Sequence, residues 1–185
     1  MGEVGCFSKR FCLNMIPFLK IHHDSVVQRD LVLTTNPRVY TEIVKPTKLL
    51  LFIRNLDANN ASVLSSVLAV ECVGGQKPYL LRSSTLTLSK VVGCKITLRR
   101  KNLYNFLFNL NFRALPRTKQ FEGFGFSVES NVFSFSLKDM LSFDELVPLV
   151  KFFDNLGYLH CQLHFYSKNN NDALFWGRST LLCIL

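Results

Sequence analysis

Between Glu71 and Glu122 the sequence has no Asp or Glu. The same stretch holds Lys77, Arg82, Lys90, Lys95, Arg99, Arg100, Lys101, Arg113, Arg117 and Lys119. The rest of the chain carries slightly more acids than cations, so the formal net charge of +9 arises in the middle third. Apolar residues recur at regular spacing inside this basic block, which excludes a solvated tail and points to a folded surface for a polyanion. Long apolar runs are also lacking. None reaches the ~18 residues a membrane span needs, and pieces such as "LLLFI" (Leu49 to Ile53) have strand length. No contact with a membrane is expected.

The six cysteines, at positions 6, 12, 72, 94, 161 and 183, form no C-x-x-C pair. A chain of 185 residues with 48% hydrophobic residues can build a core without a disulfide framework. Reduced thiols in an intracellular compartment are expected. Charged residues at 19% describe a globular and not a disordered chain. The N-terminal "MGEVGCFSKRFCLNMIPFLK" makes a poor secretory signal and a mediocre transit peptide, so residues 1–20 are expected to be an uncleaved extension before a single domain over 21–185. Without a secretory signal, the glycosylation match "NAS" at Asn60 is idle. Seventeen Phe and many Asn suggest AT-rich coding, as in some organellar genomes.

Periodicity supplies the elements. "HHDSVVQRDLVLTTNP" suggests a short helix ending before Pro37. "KLLLFIRN" (Lys48 to Asn55) is nearly all apolar and reads as a central strand. A helix follows, capped by Asn59 or Asn60, with a stripe of Val63, Leu64, Val67 and Leu68, stopped by Gly74 and Gly75. "QKPYLLR" begins an extended piece. From Gly93 to Arg99 the chain alternates, Cys94, Ile96 and Leu98 against Lys95, Thr97 and Arg99. Leu103, Phe106, Leu107 and Leu110 then recur at helical spacing up to Pro116. "NVFSFSL" and "YLHCQLHFY" alternate again, and Asn171 can cap a final helix through Trp176. The fold class is α+β: a mainly antiparallel sheet with helices packed on one face.

Chemistry-bearing patterns are scarce. His160 and His164 share a strand face but stand ~13 Å apart, too far to hold one ion, and Cys161 points the other way. His22 and His23 read as surface residues. In "GGQKP" the helix precedes the glycines, whereas a phosphate loop needs it to follow. Asp144 and Glu145 lack an acid–base partner, and no nucleophile elbow surrounds any Ser or Cys. No metal, cofactor or enzymatic activity is expected. The polar strand faces remain. Lys95, Thr97 and Arg99 can meet phosphates and 2′-hydroxyls, Arg100 and Lys101 extend that charge, and Arg113, Arg117 and Lys119 form a second cluster after the helix. Most Phe residues fall on core faces, so readout by backbone and shape is expected over base stacking.

At these residues the sequence resembles the ribosomal protein L-five family. "GCKITLRRKNLYNFLFNLNFRALPRTKQFEGF" is similar to the family's G-C-K-V-T-L-R-G, helix and L-P-R-x-x-x-F-x-G, through Gly93 to Arg99, Leu115 to Arg117, Phe121 and Gly123. "GGQKPYLLRSS" resembles G-Q-K-P-x-x-T-x-A-x-x-S, "LLLFIRN" stands at the first strand, and "FSFSLKDMLSFDEL" and "GYLHCQLHFYSKNNNDALFWGRSTLL" resemble the later strands and closing helix. The likeness covers roughly residues 20–185. It implies a structural constituent of a large ribosomal subunit in the central protuberance. The implied partners are 5S rRNA, neighbouring large-subunit rRNA, neighbouring central-protuberance proteins, a small-subunit head protein and P-site tRNA. By position, Arg54, Asn55, Gln76, Lys77, Arg82, Ser83, Lys95, Thr97 and Arg99 are the implied RNA-facing residues.

The departures are specific. The segment between Pro78 and Gly93, which in the family reaches toward tRNA, is several residues shorter; Arg100 replaces a glycine and Glu122 a cation; "SVESNV" stands in place of a glycine-rich stretch. Such erosion fits a mitochondrial ribosome, where the RNA is often reduced. The alternative is a free-standing RNA-binding or ribosome-assembly factor with the same fold.

Overall fold

The computed structural model describes residues 17–55, 60–82, 91–118, 121, 123–124, 131–153, 156–166, 175–177 and 179–180. Five strands form one sheet: β1 (Lys45–Arg54), β2 (Tyr79–Arg82), β3 (Val91–Leu98), β4 (Val132–Leu137) and β5 (Leu159–Tyr166). Their order is β2-β3-β1-β5-β4 and every pairing is antiparallel. β1 is central, as its apolar run requires. The α+β class expected from the alternation is the class observed.

One face of the sheet is closed. Leu49, Leu51 and Ile53 of β1 share it with Cys94, Ile96 and Leu98 of β3, Phe133, Phe135 and Leu137 of β4, and Leu159, Cys161, Leu163 and Phe165 of β5, all buried. The helical layer packs here. α3 (Asn60–Gly74) lies over β3 and β1, and α4 (Arg100–Asn109) supplies Leu103, Phe106 and Leu107 to the same core. The period-2 pattern of the strands and the 3.6-residue pattern of α4 bury the residues they predict.

Three local readings change. Only half of the stripe expected on α3 faces the core, where Val67 packs beside the buried Val63. Val63 is buried with Ser66, Ala69, Val70, Val73 and Gly74, whereas Leu64 and Leu68 are 61% and 42% exposed. Small residues decide this face: a Cβ added to Gly74 would lie 2.9 Å from Cδ1 of Ile96, so the helix descends on its glycine side. The N-terminal helix is longer than expected. α1 (Phe18–His22) continues through a wide π-type turn, His23–Val27, into α2 (Gln28–Thr35), and ends at Asn36 in the left-handed region. It therefore begins inside the expected extension, and Leu19 joins the core. Finally, His23 is not a surface residue. It is 2% exposed, packed between Tyr104 and Trp176 with ring centroids 5.8 and 6.1 Å away. Residues 175–177 and 179–180 are helical, while Asn171, Ser83 and Lys119 lie outside the described residues.

Candidate nucleic-acid interface

Among the described residues, the opposite face of the sheet carries no helical layer. Strand registers place its residues in rows. Tyr79 pairs with Lys95, Lys95 with Phe52, Phe52 with His160, and His160 with Ser136. The next row is Thr97, Leu50, Gln162 and Ser134. Lys48, His164 and Val132 follow, with Arg99 next in the alternation beyond Thr97. On the other side of the first row, Arg54 pairs with Gly93. A Cβ at Gly93 would lie 2.1 Å from the carbonyl oxygen of Ile53, so the glycine lets β3 lie against β1 at this point. The five strands contain no Asp or Glu and carry Lys45, Lys48, Arg54, Arg82 and Lys95. Arg54, Lys95 and Arg99 are exposed, Lys48 and Thr97 half-buried. Burial and the nearby Lys48 ammonium lower the pKa of His164, which favours its neutral form.

The remaining sequence-derived positions scatter around this face. Lys77, just before β2, and Arg82, at its end, are exposed, and Gln76 is half-buried. Gly75 has φ +65° and its N–H donates to the Glu71 carbonyl at 2.8 Å, closing α3 just before them. Asn55 is a different case. Its side chain is 7% exposed and donates from Nδ2 to the Ser66 hydroxyl at 3.1 Å, while its N–H donates to the Val92 carbonyl at 2.9 Å. It ties β1 to α3 and β3 and presents nothing to solvent. Arg100 is exposed at the start of α4 with φ +51°, in the left-handed region where a side chain is strained. That is the position where the family pattern has glycine, so the arginine stands at a backbone cost. Lys101 is half-buried.

The second cluster does not join the sheet face. Arg113 and Arg117 are exposed in the helical turns that continue α4. Arg117 is paired with Asp144, so part of its charge is already compensated. Asp144 and its neighbour Glu145, which accepts a hydrogen bond from Asn109 Nδ2 at 3.1 Å, hold the loop after β4 to this helix end.

That Phe52 belongs to the open face is not apparent from the sequence. Phe52 and His160 stack with centroids 5.0 Å apart and planes 24° from parallel, and Tyr158 lies 6.5 Å from His160. Tyr79, 78% exposed, stands at the end of the same row. A continuous apolar run such as "LLLFI" hides which of its members face solvent, and the partners that make the row are distant in sequence.

Cys94 and Cys161 are buried on the closed face. Burial raises the Cys94 thiol to about 11 and pushes Cys161 upward as well, so both are protonated core groups.

An antiparallel sheet backed by helices, with an open face that bears cations and no acids on its strands, defines an α+β domain suited to polyanion contact. Comparison with known proteins narrows this. The model of the C-terminus of the ribosomal L5 family matches residues 91–173. The large ribosomal subunit protein uL5 of Wolbachia sp. subsp. Drosophila simulans (strain wRi) is 32% identical over 143 residues, 70% of this chain and 78% of the relative. The protein of the same name from Wolbachia pipientis subsp. Culex pipiens (strain wPip) is 32% identical over 121 residues, 58% of this chain and 67% of the relative. The chain belongs to the ribosomal L5 family.

Proposed function

We propose that this protein is a structural, non-enzymatic constituent of a large ribosomal subunit that contacts rRNA through the open face of its sheet. Membership in the L5 family and the naming of its relatives as large-subunit proteins support the ribosomal part. The observation that carries the contact is the acid-free sheet face, where Arg54, Lys95, Thr97 and Arg99 line one side of a sheet whose other side is sealed by helices. Phosphates meet the cations, and the rigid core keeps the spacing between them fixed. Gln76, Lys77, Arg82, Arg100 and Lys101 extend this surface at its margins. Arg113 contacts a separate RNA segment from the helical side, and Arg117 shares its charge with Asp144.

The finer assignment is 5S rRNA together with adjacent large-subunit rRNA in the central protuberance of a mitochondrial ribosome, beside other proteins of that region and the small-subunit head. Family membership supports the first element and the Phe- and Asn-rich composition the second. Contact with P-site tRNA would fall on the segment between Pro78 and Gly93, where the chain is several residues shorter than its family pattern.

Ultraviolet crosslinking of the chain in organelle lysate, followed by sequencing of the attached RNA, tests this. Reads concentrated in a 5S-like RNA and neighbouring large-subunit rRNA are expected. Large-subunit reads without a 5S-like species would keep the ribosomal role and remove that partner. Reads spread over messenger or transfer RNA would favour a free-standing RNA-binding factor. In the purified chain, Arg99→Glu is expected to weaken binding of a large-subunit rRNA transcript about tenfold and to flatten its salt dependence, with the thermal midpoint unchanged.

A further inference from the structure

The row Tyr79–Lys95–Phe52–His160–Ser136 crosses all five strands on the open face. Its centre is a stacked pair, Phe52 on His160, extended toward Tyr158. Phe52 is half-buried, and the part of its ring that the sheet leaves open gains if a partner covers it. The surroundings say what kind of group would do so. Lys95 adjoins Phe52 on one side, Arg54 lies two residues along the same strand face, and no strand offers a carboxylate. An apolar protein surface would satisfy the rings but leave the cations without partners. A nucleotide brings a π face and a phosphate together. Paired bases already stack within their own helix and show no face, so the base must be unpaired.

We infer that the Phe52–His160 pair is a stacking platform for one unpaired base of the bound RNA, with Lys95 and Arg54 holding the adjoining phosphates. This rests on the proposed RNA contact of the sheet and adds to it a preference for single-stranded elements, loops or bulges, over continuous duplex. Neighbouring strands are ~4.8 Å apart, so Tyr79 stands about two strand spacings from Phe52 with Lys95 between them, within reach of the next nucleotide.

The test uses the full chain and three RNAs: a hairpin with a loop of unpaired adenosines, the same hairpin with an abasic loop, and the stem as plain duplex. The abasic loop keeps every phosphate and removes the π faces. The expected result is about tenfold tighter binding of the base-bearing loop than of the abasic one, the contribution of one stacked base. Phe52→Leu, which keeps the apolar packing and removes the ring, should erase that difference and leave duplex binding unchanged. Lys95→Gln should weaken all three RNAs alike. Equal affinity for the two loops, or a preference that survives Phe52→Leu, would overturn the platform while leaving the sheet's phosphate contact standing. Failure of the wild-type chain to bind any of the three would remove the RNA contact and the platform with it.

Discussion

The two faces of the sheet are built from the same strands and differ in almost everything else. On β1, Leu51 and Leu50 are adjacent leucines. Leu51 is sealed under α3 and α4, whereas Leu50 lies half-buried between Thr97 and Gln162. The closed face is aliphatic and aromatic throughout, with two thiols held protonated by burial. The open face carries cations, hydroxyls, imidazoles and a few rings. Strand pleating separates the two residue sets, and the helices then decide which set is solvated. One face supplies the stability that keeps the other flat and fixed.

Charge on the adjacent leucines should break the comparison most sharply. Leu51→Asp places an unpaired carboxylate in the core and is expected to cost more than about 4 kcal/mol, enough to prevent folding. Leu50→Asp should leave a folded chain by circular dichroism while reducing RNA affinity through repulsion. A folded Leu51→Asp protein would mean that the core assignment is wrong.

Asn55→Ala separates scaffold from surface at a smaller scale. Loss of the Nδ2 bond leaves the Ser66 hydroxyl short of a buried partner, and a cost of roughly 1–3 kcal/mol is expected in urea unfolding. RNA affinity measured under conditions where the variant remains folded should match the parent. A fall in affinity without a fall in stability would restore Asn55 to the contact surface.

Arg100→Gly acts in the opposite direction. Glycine relieves the left-handed backbone at φ +51°, and a gain of about 1 kcal/mol is expected in the same unfolding assay. RNA binding should weaken modestly because a cation is lost. No gain in stability would show that the strain is relaxed elsewhere.

The smallest effect needs no substitution. Burial lowers the pKa of His23, outweighing the hydrogen bond and charge of Asp24. The unfolded chain therefore takes up a proton near pH 6.5 that the folded chain refuses. Stability should be fully present above about pH 6.5 and decline as the pH falls below it. His164, shifted in the same direction, adds to the decline. Thermal midpoints at several pH values, with His23→Asn flattening part of the slope, would check this. A flat profile in the parent would mean that His23 is solvated.

Much of the fold is legible in the sequence because local periodicity carries it. The alternation over Gly93–Arg99, "NVFSFSL" and "YLHCQLHFY" corresponds to the faces observed on β3, β4 and β5, and the Leu103–Leu110 spacing to the buried side of α4. The misreadings share a cause. α3 is apolar around most of its circumference, so spacing alone does not fix its buried side, and the small residues Ser66, Ala69 and Gly74 set it by letting the helix approach Ile96. His23 reads as one of two surface histidines because its burial depends on Tyr104 and Trp176, far along the chain. Asn55 matches a motif position, but its hydrogen bond to Ser66 uses it inside the fold.

By itself the sequence determined the fold class, the family and the location of the excess charge. Each of these is set by short-range pattern and composition. Tertiary structure alone decided which cations share a surface. The sheet places Arg54, Lys95 and Arg99 together and sends Arg113 and Arg117 to the helical side, the latter against Asp144. It also assembled the row from Tyr79 to His160, whose members come from four strands. Strand order and register are long-range properties, and no local window of the chain contains them.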